Sequence, residues 1–194
     1  MIEHVADEVS VSVSVSALQA GVVRRRSRLA DGRELIYYDD PDTRLPDHRA
    51  LDTRKLDSRP PTATMRQDVL TGDWITFATA RQNRAFMPPA DQDPLAPQSA
   101  TNPSEIPSTY DVAVFENRSP AFGPAVVPGQ IEARASDDPL FREAPSLGRC
   151  EVVCFSPEHE GSFASLTRAR ARIVIEAWAD RTRALSGIPS VEQV

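Results

Sequence analysis

The 194-residue chain is 40% hydrophobic and carries a formal net charge of -6. Its isoelectric point near 5.1 and mean hydropathy of -0.37 argue against a nucleic-acid binder, which needs a basic surface. No apolar run approaches the ~20 residues of a membrane span, and no leader of charged, apolar and small residues opens the chain, so a cytoplasmic protein is expected.

Seventeen prolines against eight glycines predict much irregular backbone and a core smaller than the length suggests. Lys55 is the only lysine. The arginine bias reads either as codon usage or as phosphate recognition, which the guanidinium fork suits. Cys150 and Cys154 fall on one predicted strand, where a rise of about 3.3 Å per residue separates them by roughly 13 Å. They cannot bond to each other, and two free thiols suit a reducing compartment.

Residues 9–16 alternate Val and Ser, the period of a strand. Their flanks are polar, so residues 1–23 read as a low-complexity, disordered head, with a strand as the equal alternative. Residues 24–194 read as one domain. Residues 28–38 predict a strand, an Asp-Gly turn and a second strand. Residues 39–62 lack apolar periodicity and read as an extended connector. A turn at 70–73 leads into a strand over 74–79, with Arg81 and Arg84 at its exit. Residues 87–108 hold six prolines and form a long loop. A strand over 110–115 ends in Glu116, Asn117 and Arg118. Residues 119–147 form a second long loop, and loops of this length indicate function or disorder.

Residues 149–155 predict a strand that stops at Pro157 and presents His159 just beyond it. Thr167 is the expected N-cap of a helix over 168–185. Its apolar side collects Ile173, Val174, Ala177, Trp178, Ala184 and Leu185, and Gly187 and Pro189 end it. Residues 191–194 look like the start of another strand. Trp74 and Trp178 are expected to anchor the core. The fold class is α+β: an antiparallel sheet with one main packed helix.

Taken alone, the candidate site residues have two readings each. Arg81 and Arg84 are a phosphate site or a solvated loop. Asn117 is a base or sugar contact or a turn residue. His159 is a metal ligand or a surface histidine, and no Cys-x-x-Cys accompanies it.

Together the blocks form a pattern. Met-Arg-Gln-Asp-Val-Leu-Thr-Gly-Asp-Trp-Ile at 65–75, Arg-Gln-Asn-Arg at 81–84, Val-Phe-Glu-Asn-Arg at 114–118 and Gly-Arg-Cys-Glu-Val-Val-Cys-Phe-Ser-Pro-Glu-His at 148–159 resemble, in order and spacing, the N-terminal half of the galactose-1-phosphate uridylyltransferase family. Residues 29–39 are similar to the leading segment of its actinobacterial members. The resemblance covers roughly residues 24–194. It implies an incomplete histidine-triad-like half, a dimer when complete, and transfer of a uridylyl group from UDP-glucose to galactose 1-phosphate through a histidine nucleophile.

By the same resemblance Arg81 and Arg84 would contact the nucleotide phosphates, opposing their charge. Leu95, Phe115 and Asn117 would hold the uridine. Many members bind zinc through a Cys-x-x-Cys pair and a histidine matching His159. Here Asp93 and Ala96 occupy the cysteine positions, so zinc is expected to bind weakly or not at all. Arg118 and Ser119 stand where members often have an acidic residue or arginine and then phenylalanine, which would loosen the pocket wall. The family's His-x-His-x-Gln stretch comes after the position of Val194, so no catalytic residue is expected within these residues. Three readings follow: a transferase part completed by a second polypeptide, a non-catalytic remnant or nucleotide-binding pseudoenzyme, and a purely structural protein.

Overall fold

The structure, a computed structural model, describes residues 14–18, 21–57, 59, 63–81, 88–123, 138, 140–189 and 191–194. Five antiparallel strands form the main sheet: β1 (Ser14–Ala17), β2 (Val23–Arg28), β3 (Glu34–Asp39), β6 (Val112–Glu116) and β8 (Glu151–Cys154), in the order β1-β2-β3-β6-β8. A smaller sheet holds β5 (Trp74–Phe77), β4 (Thr64–Gln67) and β7 (Glu143–Pro145), in that order. One long helix, α1 (Arg168–Leu185), completes the α+β architecture.

Two-residue alternation explains the layers. Ile36, Tyr38, Val112 and Val114 point to one face of the main sheet and pack with Ile173, Val174 and Ala177 of α1. Leu35, Tyr37, Ala113 and Phe115 point to the other face and pack with Ile106 and Tyr110. Residues 88–110 therefore act as a strap across the face opposite the helix. Burial on both faces makes β6 buried throughout, as expected of a central strand.

The β2–β3 hairpin pairs Arg28 with Glu34, and its turn passes through Gly32 at φ 82°, where a side chain would be strained. The first arm, β2, lies upstream of the 28–38 segment in which both strands were expected. The connector at 39–57 is held by ion pairs. Arg49 meets Asp39 at 2.6 Å, and Arg54 meets Asp52 at 2.7 Å. The second long loop contains β7, which pairs with β4.

Thr167 caps α1, its Oγ1 accepting the Arg170 amide at 3.2 Å. The buried side of the helix differs from expectation. Asp180 and Arg181 are buried with Ile173, Val174 and Ala177, whereas Trp178 is 47% exposed. The ionised pair is tolerated because Asp180 accepts Tyr38 Oη at 2.7 Å and Arg24 at 2.6 Å, while Arg181 grips both oxygens of Glu151 at 2.8 Å. Trp178 instead stacks on Phe163 with ring centroids 5.7 Å apart. Trp74 is 42% exposed on β5, the outer strand of the small sheet. Neither tryptophan anchors the core. Residues 191–194 adopt no strand.

Candidate nucleotide site and strap anchor

The exit of β6 gathers two of the expected contacts. Asn117 extends the β6–β8 ladder by donating its amide to Cys150 O at 2.8 Å. Its side-chain Oδ1 accepts the Ser119 amide at 3.0 Å, which folds the chain back in an Asx turn. Arg81, at the end of a short turn after β5, donates Nη1 to Ser119 O at 2.6 Å. Arg81 and Asn117 thus share Ser119 as a hub, and both are half-buried. Arg118 donates to Asp57 O at 2.9 Å. Arg59 neutralises Glu116 at 2.6 Å. Arg84 lies outside the described residues.

The strap carries the second group. Asp93 Oδ1 accepts the Leu95 amide and Oδ2 meets His159 Nδ1, each at 2.8 Å. Asn102 donates to Asp93 O at 2.8 Å. Tyr110 Oη lies 2.8 Å from both Leu95 O and Ser156 O, so it ties the strap to the loop after β8. Phe115 packs with Tyr110 beneath this strap and is 3% exposed. Leu95 is 38% exposed. A cavity of about 500 Å³ opens here, bordered by Asp93, Leu95, Cys154, His159, Thr167 and Arg170.

Electrostatics follow from these contacts. Burial alone would raise the Asp93 carboxyl, but the His159 bond and the Leu95 and Ala96 amides outweigh it and hold it below its ordinary value. Burial pushes the Cys154 thiol up to about 12, partly offset by the Tyr110 hydroxyl. Burial likewise raises Tyr110.

These donors do not fit a four-coordinate zinc ion. Asp93 Oδ2 is turned onto His159 itself and its Oδ1 onto the Leu95 amide, and Ala96 offers no ligand atom. Among the described residues no group of three or more His, Cys, Asp or Glu could hold a metal.

The sequence pattern flagged Arg81, Asn117, Leu95, Phe115 and His159 but not their connections. Ser119 as a hub and Tyr110 as a strap anchor were missed, since Ser119 acts through its own backbone atoms and the Tyr110 hydroxyl bonds backbone carbonyls that are distant in sequence. Among the described residues no helix is long and apolar enough to cross a membrane.

The family model for the galactose-1-phosphate uridyl transferase N-terminal domain matches residues 52–194. The chain belongs to this family. It is 45% identical over 168 residues to the galactose-1-phosphate uridylyltransferase of Streptomyces lividans, covering 87% of this chain and 41% of that relative. The Thermotoga maritima enzyme of the same name is 30% identical over 122 residues, covering 63% of this chain and 36% of the relative. A probable galactose-1-phosphate uridylyltransferase of Drosophila melanogaster is 32% identical over 136 residues, covering 62% of this chain and 37% of the relative. The chain therefore spans about two fifths of the length of these uridylyltransferases or less. No solved structure matches it significantly.

Proposed function

We propose that this uridylyltransferase N-terminal domain supplies the nucleotide-binding part of an enzyme that moves a uridylyl group between UDP-glucose and galactose 1-phosphate. The supporting observation is the Ser119 hub, which holds the Arg81 guanidinium beside Asn117 at the exit of β6. Arg81 is fit to oppose diphosphate charge. The Asn117 side-chain amide group would donate to ribose or base. Leu95 offers apolar surface to the uridine, and Phe115 shapes the layer beneath it. Arg84 joins Arg81 in this proposal by its sequence position alone.

The nucleophilic histidine would come from sequence outside these residues. The proposed complete assembly is histidine-triad-like, dimeric and cytoplasmic. Exposed apolar side chains on the small sheet and at its margin, including Trp74, Ile75, Phe77 and Phe141, give an association surface. The two free thiols suit a reducing compartment. Any zinc requirement of the complete enzyme would rest on groups other than the Asp93–His159 pair.

The loss of ligand atoms at Asp93 and Ala96 favours a second reading, a nucleotide-binding remnant without transfer. Co-expression with a polypeptide bearing the His-x-His-x-Gln segment, followed by a uridylyl-transfer assay, separates the two. Activity above that of either piece supports the enzyme. UDP binding without activity supports the remnant, and no UDP binding rejects both.

A further inference from the structure

Helix α1 turns a patterned face to solvent, on the side of the main sheet opposite the strap. Ile175 is 56% exposed at the middle of this face. Arg168, Arg172, Ala179 and Thr182 continue the same stripe at spacings of three and four, and all are exposed. Along one side of the stripe, Glu176 and Arg183 border a groove of about 540 Å³ between α1 and Ala17 and Leu18 at the end of β1. The groove shares no residue with the cavity beneath Leu95.

The charges on this face suit two helices better than one. The first turn of α1 holds no acid. Arg168 stands there instead, with Arg172 one turn on, where the helix dipole opposes positive charge. Near the other end, Arg183 is 72% exposed and reaches Asp180 only at 3.9 Å. Asp180 is already engaged by Tyr38 and Arg24.

A second α1 laid antiparallel satisfies both ends. About a two-fold axis at Ala179, positions equally far before and after it meet. Glu176 then meets Arg183 of the second copy, on the same side of the stripe, and the pair forms twice. The small Ala179 lets the helices approach closely, and Ile175 packs over Thr182. Arg172 and Ser186 lie equally far from Ala179, so Arg172 comes to the C-cap of the second copy. Carbonyls at a helix C-terminus favour a cation.

We infer that the solvent face of α1 is a self-association surface, on which a second copy of this chain docks antiparallel with the two-fold axis at Ala179. The occupant is a second copy because the face carries both members of its own ion pair, placed symmetrically about one small residue. One helix pair buries roughly 1,000 Å², the low end for a specific interface, so the dimer is weak, with a Kd of about 10–100 μM. This contact is separate from the apolar small sheet.

The test is sedimentation equilibrium of the 194-residue chain over about 1 to 200 μM, a range that brackets this affinity. Wild type should pass from monomer to dimer. Glu176→Arg and Arg183→Glu should each weaken association about tenfold, because each sets like charges across the axis. The double variant exchanges the two charges and should recover most of the loss. Ala179→Cys should form an intermolecular disulfide when diamide is added as oxidant, and wild type, with Cys150 and Cys154, should not. Where thermal melts show that a charge variant is misfolded, the cross-link at exposed Ala179 carries the test.

A wild type that stays monomeric throughout overturns the inference. So does a dimer whose affinity neither charge reversal changes, or a double variant as weak as the single ones. A dimer abolished by Trp74→Ser and untouched by the α1 variants places association on the small sheet and overturns it too.

Discussion

His159 Nδ1 and Asp93 Oδ2 lie 2.8 Å apart and join positions separated by 66 residues. The contact closes the strap onto the loop after β8. A carboxylate can do this because its second oxygen is fixed by the Leu95 amide, so the side chain is already oriented when His159 meets it.

Asp93→Ala should therefore loosen the strap more than it destabilises the fold. His159 is 39% exposed, so losing the bond is expected to cost only about 1 kcal/mol of global stability. Hydrogen exchange should accelerate at amides 95–106 and stay unchanged in α1. Uniform acceleration across the chain would mean that the contact is not a local anchor.

An anchor closed by Asp93 and His159 alone predicts indifference to chelators. The melting temperature of the chain should be the same with and without EDTA. Asp93→Cys with Ala96→Cys returns two thiolates beside His159, and this double variant should take up Co²⁺ with a thiolate charge-transfer band that the parent lacks. A chelator-induced drop in the parent would show that the chain holds a metal.

Asp180 is the polar centre of the helix–sheet contact. It accepts Tyr38 Oη and Arg24 while its own side chain is 6% exposed. Asp180→Ala strands a buried phenol and a mostly buried guanidinium. The expected loss is about 3 kcal/mol, read as a lower urea midpoint with unchanged slope. Tyr38→Phe removes only the hydroxyl and should lose about 1 kcal/mol.

Asp180 also shows where sequence reading stops. Thr167, the helix span and the apolar Ile173, Val174 and Ala177 were legible, because capping and 3.6-residue periodicity are local. Burial of Asp180 and Arg181 was not, because it depends on Tyr38, Arg24 and Glu151, which are distant in sequence. Strands β3, β5, β6 and β8 were readable from apolar runs. Strand β7 was not, since Glu143–Pro145 has neither length nor alternation and exists through pairing with β4. The site residues emerged from ordered motifs, whereas the Ser119 hub uses a backbone carbonyl and amide that no side-chain pattern encodes.

Acid should weaken the chain through Asp52. Burial would raise this carboxyl, but Arg54, the Ala30 amide and Gln98 outweigh it and lower it to about 2. A carboxyl depressed in the folded state adds stability above its unfolded value of about 4. That stability is lost as pH falls through the folded value. The Asp52 contribution, on the order of 2 kcal/mol, should therefore be present at pH 5 and nearly absent at pH 2. Denaturant titrations of wild type and Asp52→Asn should converge across that window. Parallel curves would assign acid sensitivity elsewhere.

Arg33 is fully buried at the hairpin and holds three elements at once. Its guanidinium meets Asp31 at 2.7 Å, Glu105 of the strap at 2.6 Å and Glu116 O of β6 at 2.9 Å. Its carbon also sits 5.9 Å from the Phe115 ring centroid. Arg33→Met leaves Asp31 without its cation and Glu105 with only Arg54 at 3.3 Å, and the expected loss is about 4 kcal/mol. Arg33→Lys keeps the charge, but a single ammonium cannot reproduce the planar fork that spans all three acceptors. The lysine variant should recover less than half of the loss in chemical denaturation. Full recovery would show that charge alone, without the fork's geometry, braces the strap against β6.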